Sequence, residues 1–137
     1  MKLTSDDGDL LEIEAAQSDV DAHDVLLVVR ARFRGFSAEI DVWVQREAWM
    51  GFTQDLVILE ERRQGEARLE GISPGELSLV VRSTSRAGHM GVEAALGAQG
   101  HDYDASMRFR VLAFDPSQLP AFVYGARAIA SFRDSAG

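Results

Sequence analysis

His89, His101, Asp102 and Asp104 are the clustered side chains able to hold a metal or move a proton. A divalent metal needs three or four nitrogen or oxygen ligands aimed at one point. The run Gly100-His101-Asp102-Tyr103-Asp104 falls between two strand-like segments, which makes it a polar connecting loop. His89 opens a strand on the side opposite its apolar set and reads as a surface histidine. Asp6-Asp7-Gly8-Asp9 has acids in common with a calcium loop. It lacks the alternating ligands and the bidentate glutamate at the twelfth position, so turn chemistry accounts for it. The chain has no cysteine, which rules out a disulfide framework, a Cys-based zinc site and a thiol nucleophile. No serine sits in a Gly-x-Ser-x-Gly elbow, and the glycines form no phosphate-binding fingerprint. Glu60-Glu61 reads as solvated charge on the outer face of a helix. The sequence therefore assigns no catalytic residue, no cofactor and no metal, and the chain reads as a non-enzyme.

Charge and one aromatic carry what remains. The net charge is −8, and residues 1–24 hold eight acids against Lys2, while the rest holds 14 acids and 13 arginines. A field of this sign attracts cationic partners and repels nucleic acid and anionic membranes. Asp6, Asp7, Asp9 and Asp21 are accordingly the candidate protein-binding residues of this segment. Trp43 joins them, because its parity places it among Glu39, Asp41 and Gln45 on the polar side of a strand. Such a tryptophan is either a binding anchor or is covered by a helix or the N-terminal strand. Arg108 and Arg110 share a strand face; they could bind an anion, or pair with Glu93 on a neighbouring strand.

These residues must be positioned mainly by strands. Val25, Leu27, Val29, Ala31 and Phe33 alternate with polar or outward residues, as do Phe36, Ala38, Ile40, Val42 and Val44, which predicts two half-buried strands. Parity reverses across Arg34-Gly35, as a tight hairpin requires, and a bulge at Gly35 is the alternative. A hairpin sets Arg30 opposite Glu39. Further strands are predicted at 10–15, 66–70, 76–83, 89–96 and 105–113, the last with Ala105, Met107, Phe109, Val111 and Ala113 inward. The loop 83–88 joins two of them as a hairpin. Trp49, Phe52, Leu56 and Leu59 form one helical stripe within 47–62, closed by Arg62, Arg63 and Gln64-Gly65. Phe122, Val123, Ala126, Ile129 and Ala130 mark a second helix from about Pro120, after a short turn at 115–119. The fold class is α+β: a predominantly antiparallel sheet of about six to seven strands packed by two helices, in the order β-β-β-α-β-β-β-β-α.

With 137 residues, 46% of them hydrophobic, the chain fits one domain over 1–137 with a single core. The N-terminal residues lack the apolar segment of a signal peptide, and no apolar run is long enough to span a bilayer. The expected location is the cytoplasm.

The spaced positions Trp49-x-x-Phe52-x-x-x-Leu56-x-x-Leu59, Gly65-x-Ala67-x-Leu69 and Glu76-Leu77-x-Leu79-x-Val81 also form a pattern. Gly88-His89-Met90-x-Val92, Phe114-Asp115 and Leu119-x-x-Phe122 continue it. Over roughly residues 8–130 this pattern resembles the WapI-type bacterial immunity proteins and a sister group of uncharacterised small bacterial domains. The resemblance implies a module that neutralises a toxin domain made by the same cell. Because it consists of apolar positions, it carries over no site residue. A toxin domain that acts on nucleic acid is cationic, so the implied partner is a cationic toxin domain. The alternatives are a small apolar-ligand carrier, with a closed cavity between sheet and helix, an enzyme using the His101 region, or an uncharacterised domain without enzymatic activity.

Overall fold

The computed structural model describes residues 1–18 and 23–132. Strands β1 (Lys2–Thr4), β2 (Leu10–Ser18), β3 (Asp24–Phe33) and β4 (Phe36–Gln45) form an antiparallel sheet in that order. Helix α1 (Arg46–Arg62) follows directly. Strands β5 (Glu66–Glu70), β6 (Leu77–Ser83), β7 (Met90–Gln99) and β8 (Asp104–Phe114) then form a second antiparallel sheet in chain order. A 3-10 turn at Pro116–Gln118 leads into α2 (Leu119–Ala130).

The α+β class, the antiparallel pairing and the two helices are those expected, with two differences. The strands divide into two sheets of four, and β1 adds a strand at the start. Three residues are too few to display alternation, which is why β1 leaves no periodic signal. The division into two sheets follows from α1. A helix between β4 and β5 prevents their joining by a hairpin, and β4 instead meets the β5–β6 turn, where the Ile72 amide donates to the Trp43 carbonyl at 2.9 Å.

Arg34 and Gly35 both have left-handed backbone angles, φ 52° and 88°. That is the two-residue type I′ connection, whose twist matches the flanking strands. It pairs Phe33 with Phe36 and sets Arg30 opposite Glu39, so the hairpin and not the bulge occupies this position.

A bulge does occur in β8. Between Val92 and Ala94 the β7–β8 register slips, so Arg110 and Val111 together face Glu93. Val111 has φ 60°, a region costly for a β-branched residue. Parity inverts there: Val111 and Ala113 point outward, while Leu112 and Phe114 enter the core. This corrects the expected inward placement of Val111 and Ala113. Strict alternation extrapolates across a bulge and so predicts the wrong face beyond it.

The inner faces of the two sheets meet where β4 packs on β7 and β8, and β1 on β8. Phe33 and Phe109 stack across this seam with ring centroids 5.0 Å apart. Helix α1 lies along β5 and against α2. Both predicted stripes are buried, and the Trp49 indole N–H donates to the Ala126 carbonyl at 2.9 Å. Arg46, 6% exposed, donates to the carbonyls of Ala130 at 2.9 Å and Phe132 at 3.1 Å. At the start of the 3-10 turn that leads into α2, Asp115 accepts from the Ser117 amide at 2.8 Å. That hydrogen bond holds its carboxyl below the ordinary range. No helix among the described residues is long and apolar enough to cross a membrane.

Candidate functional site

Trp43 lies on the solvent face of β4, directly opposite Leu26 on β3, with Val28 and Asp41 as the next pair along the same face. It is 37% exposed, so neither a helix nor the N-terminal strand covers it. The Ile72–Trp43 backbone hydrogen bond brings a second exposed apolar side chain to the same edge, Ile72 at 45%. Two grooves diverge from Gln45, the next residue on this face of β4. One, of about 490 Å³, runs between Ala48, Gly51 and Asp55 of α1 and the β5 end at Glu70 to Ile72. The other, of about 460 Å³, passes Asp24, Glu47 and Met50, and Met50 is exposed. Trp43, Met50 and Ile72 therefore surround Gln45, with Asp24, Asp41, Glu47, Asp55 and Glu70 at the margin. An aromatic anchor with apolar neighbours inside a polar rim is the anatomy of a protein-binding surface. Five acids thus stand in this rim, with Arg68 the basic side chain that lines the first groove.

Gly51 has a distinct place here. An added Cβ would meet nothing within 4 Å, so packing does not demand glycine. In a helix interior glycine costs about 1 kcal/mol relative to alanine. Its effect is to leave the floor of the first groove open.

The N-terminal acids are arranged differently. Asp9 is buried, accepting from the Ser5 hydroxyl at 3.2 Å and the Arg34 amide at 3.0 Å. Asp7 pairs with the Arg34 guanidinium at 3.1 Å, and Arg32 donates to the Gly8 carbonyl. Arg30 gathers Glu39, Glu14 and Glu12, and its hydrogen bonds to Glu39 and Glu14 raise its pKa further. Four acids of this segment, Asp7, Asp9, Glu12 and Glu14, are thus met in space by Arg30 of β3 and Arg34 of the hairpin turn after it. Asp6 is exposed. Asp21 lies outside the described residues.

The remaining polar candidates do not converge. His101 and Asp102 approach to 3.8 Å with both side chains at least nine-tenths exposed. Among the described residues no group of three or more ligand-type side chains gathers. His89 and Ser85 are closer, with Nδ1 2.7 Å from the hydroxyl. A serine beside a histidine is half of a nucleophile–base pair. This Ser85 oxygen also accepts the amides of Ala87 and His89, which makes it the closure of the β6–β7 turn.

Comparison with protein-family models, with curated proteins and with solved structures finds no match. The reading of this surface rests on its own residues.

Sequence reasoning singled out Trp43 by parity but not Met50, Ile72 or the acids around them. Met50 falls off the Trp49/Phe52/Leu56/Leu59 stripe, which was a usable signal. Ile72 is an isolated apolar residue in Gly71-Ile72-Ser73-Pro74-Gly75. Turn segments are normally polar, so it too was visible. That these positions meet at Gln45 depends on how the second sheet sits against β4, which periodicity does not encode.

Proposed function

We propose that this chain is a cytoplasmic protein-binding module of the immunity type, which occludes a cationic toxin domain with the surface around Trp43. The observation that carries the reading is the half-exposed Trp43 opposite Leu26, set among Ile72, Met50 and an acidic rim. The family-like spacing of the core residues supports the toxin as partner class. On this reading Trp43 supplies affinity, while the rim acids, with the exposed Asp6, raise the association rate. Asp9 acts indirectly, by holding the N-terminal turn. The carrier alternative has less support, because Trp49, Phe52 and Phe122 fill the space between sheets and helices.

The test is growth rescue: the gene immediately upstream is expected to encode the toxin domain, which is expressed alongside this chain. The wild type restores growth. Trp43→Ala weakens binding by about 2 kcal/mol, roughly 30-fold, while chemical denaturation shifts by less than about 1 kcal/mol. Absence of rescue by the wild type rejects the immunity reading. Full rescue and unchanged affinity with Trp43→Ala reject this surface.

Gly51→Ala gives a second expected result of opposite signs. Stability rises by about 1 kcal/mol, and partner affinity, read by titration calorimetry, falls because the groove floor is filled. A variant that is stabilised with unchanged affinity shows that the partner does not enter this groove.

A further inference from the structure

The outer face of the second sheet carries the reverse charge of the Trp43 surface. Register places Arg68, Val80 and Glu93 side by side across β5, β6 and β7, with Arg82 opposite Glu66 and Arg108 opposite Ala95. Arg68, Arg82, Arg108 and Arg110 thereby border one depression of about 290 Å³, floored by Val80 and Ala95. Val80 is only 7% exposed, the mark of apolar floor beneath long side chains whose charged heads remain in water. Glu93 sits at the centre, 3.3 Å from Arg82 and 3.2 Å from Arg110, while Glu66 engages Arg68. The Arg108 side chain forms no hydrogen bond or ion pair among the described residues.

The bulge in β8 bears on this face. It leaves Arg110 and Val111 opposite Glu93, with Arg110 turned into the same depression as Arg108. The backbone angle at Val111 is one a β-branched residue adopts only under constraint from its surroundings. Bulges that re-aim a side chain are a recurrent device beside binding sites.

From these observations we infer that the arginine-lined depression on the outer face of the β5–β8 sheet is a binding site for a small phosphoryl anion, such as pyrophosphate or a phosphomonoester. Guanidinium groups present paired donors that match phosphoryl oxygens. β5 and β8 stand about 14 Å apart across the sheet, so Arg68 and Arg108 reach the anion from opposite sides. Arg108 is free to bind at once. Glu93 competes with the anion for Arg82 and Arg110 and keeps them in place when the site is empty. The depression is too small for a polymer, and the net charge of −8 opposes a polyanion such as nucleic acid.

The experiment is titration of the full chain with pyrophosphate and, separately, inorganic phosphate. Arginine Nε–H resonances are followed by NMR. Saturable shifts at Arg68, Arg82, Arg108 and Arg110, without comparable shifts at Arg30 and Arg127, are expected. Arg108→Gln, an exposed substitution, weakens pyrophosphate about tenfold. Glu93→Gln, which removes the competing carboxylate, tightens it about threefold. Shifts that do not saturate, that appear equally at Arg30 and Arg127, or that survive Arg108→Gln unchanged overturn the site. Tighter binding of a single-stranded oligonucleotide than of pyrophosphate overturns the assignment to a small ligand.

Discussion

Replacing Trp49 with alanine is expected to lower stability by about 4–5 kcal/mol, near the upper end for a buried aromatic. Trp49 is fully buried, its ring centroid lies 5.3 Å from that of Phe52, and its indole N–H reaches the Ala126 carbonyl on α2. Truncation removes the packing, opens a cavity and leaves that carbonyl without its donor. Small domains are stable by only about 5–15 kcal/mol, so the variant stands close to unfolding. Trp49→Phe keeps much of the packing but not the hydrogen bond, and is expected to cost about half as much. Urea denaturation of the three proteins measures both values. A loss below about 1 kcal/mol for the alanine variant would show that α1 and α2 are not joined as described.

Arg46→Met is expected to cost about 2–4 kcal/mol, through a different mechanism. Methionine preserves much of the apolar stem but removes the donors to the Ala130 and Phe132 carbonyls. Those carbonyls belong to the end of α2, where a helix leaves acceptors unpaired and carries partial negative charge. Arg46→Lys retains the charge but cannot present two planar donors at once, so it recovers only part of the loss. Hydrogen exchange in the last turn of α2 separates this from a general destabilisation: protection falls there first in the methionine variant. Uniform loss of protection across both sheets would reject the capping role.

The elements were legible wherever local pattern and local cause coincide. The β3–β4 hairpin follows from alternation plus one glycine with its parity switch, and α1 from a four-residue stripe. Arg46 was not legible as a structural residue, since nothing in its neighbourhood announces a partner more than 80 positions away. The β8 bulge also escaped. Arg110-Val111 has no glycine to mark it, and Val is among the residues least suited to φ 60°. The charge split in residues 1–24 is a true property of the sequence, but Arg30 of β3 and Arg34 of its hairpin turn meet four of those acids in space. A net count along a segment is therefore a poor guide to the field at its surface, whereas the acids around Trp43 come from four separate elements.

Every strand in this fold pairs with its neighbour in sequence, and neither sheet takes a strand from the other's half of the chain. Loop closure for such pairings spans few residues, so the entropic barrier to each ladder is small. The costly step is the one that brings distant segments together: docking the first sheet onto the second and closing α2 against α1 through Trp49 and Arg46. For two locally paired meanders held together by distant contacts, the rate-limiting event of folding is expected at the seam between them and not within either.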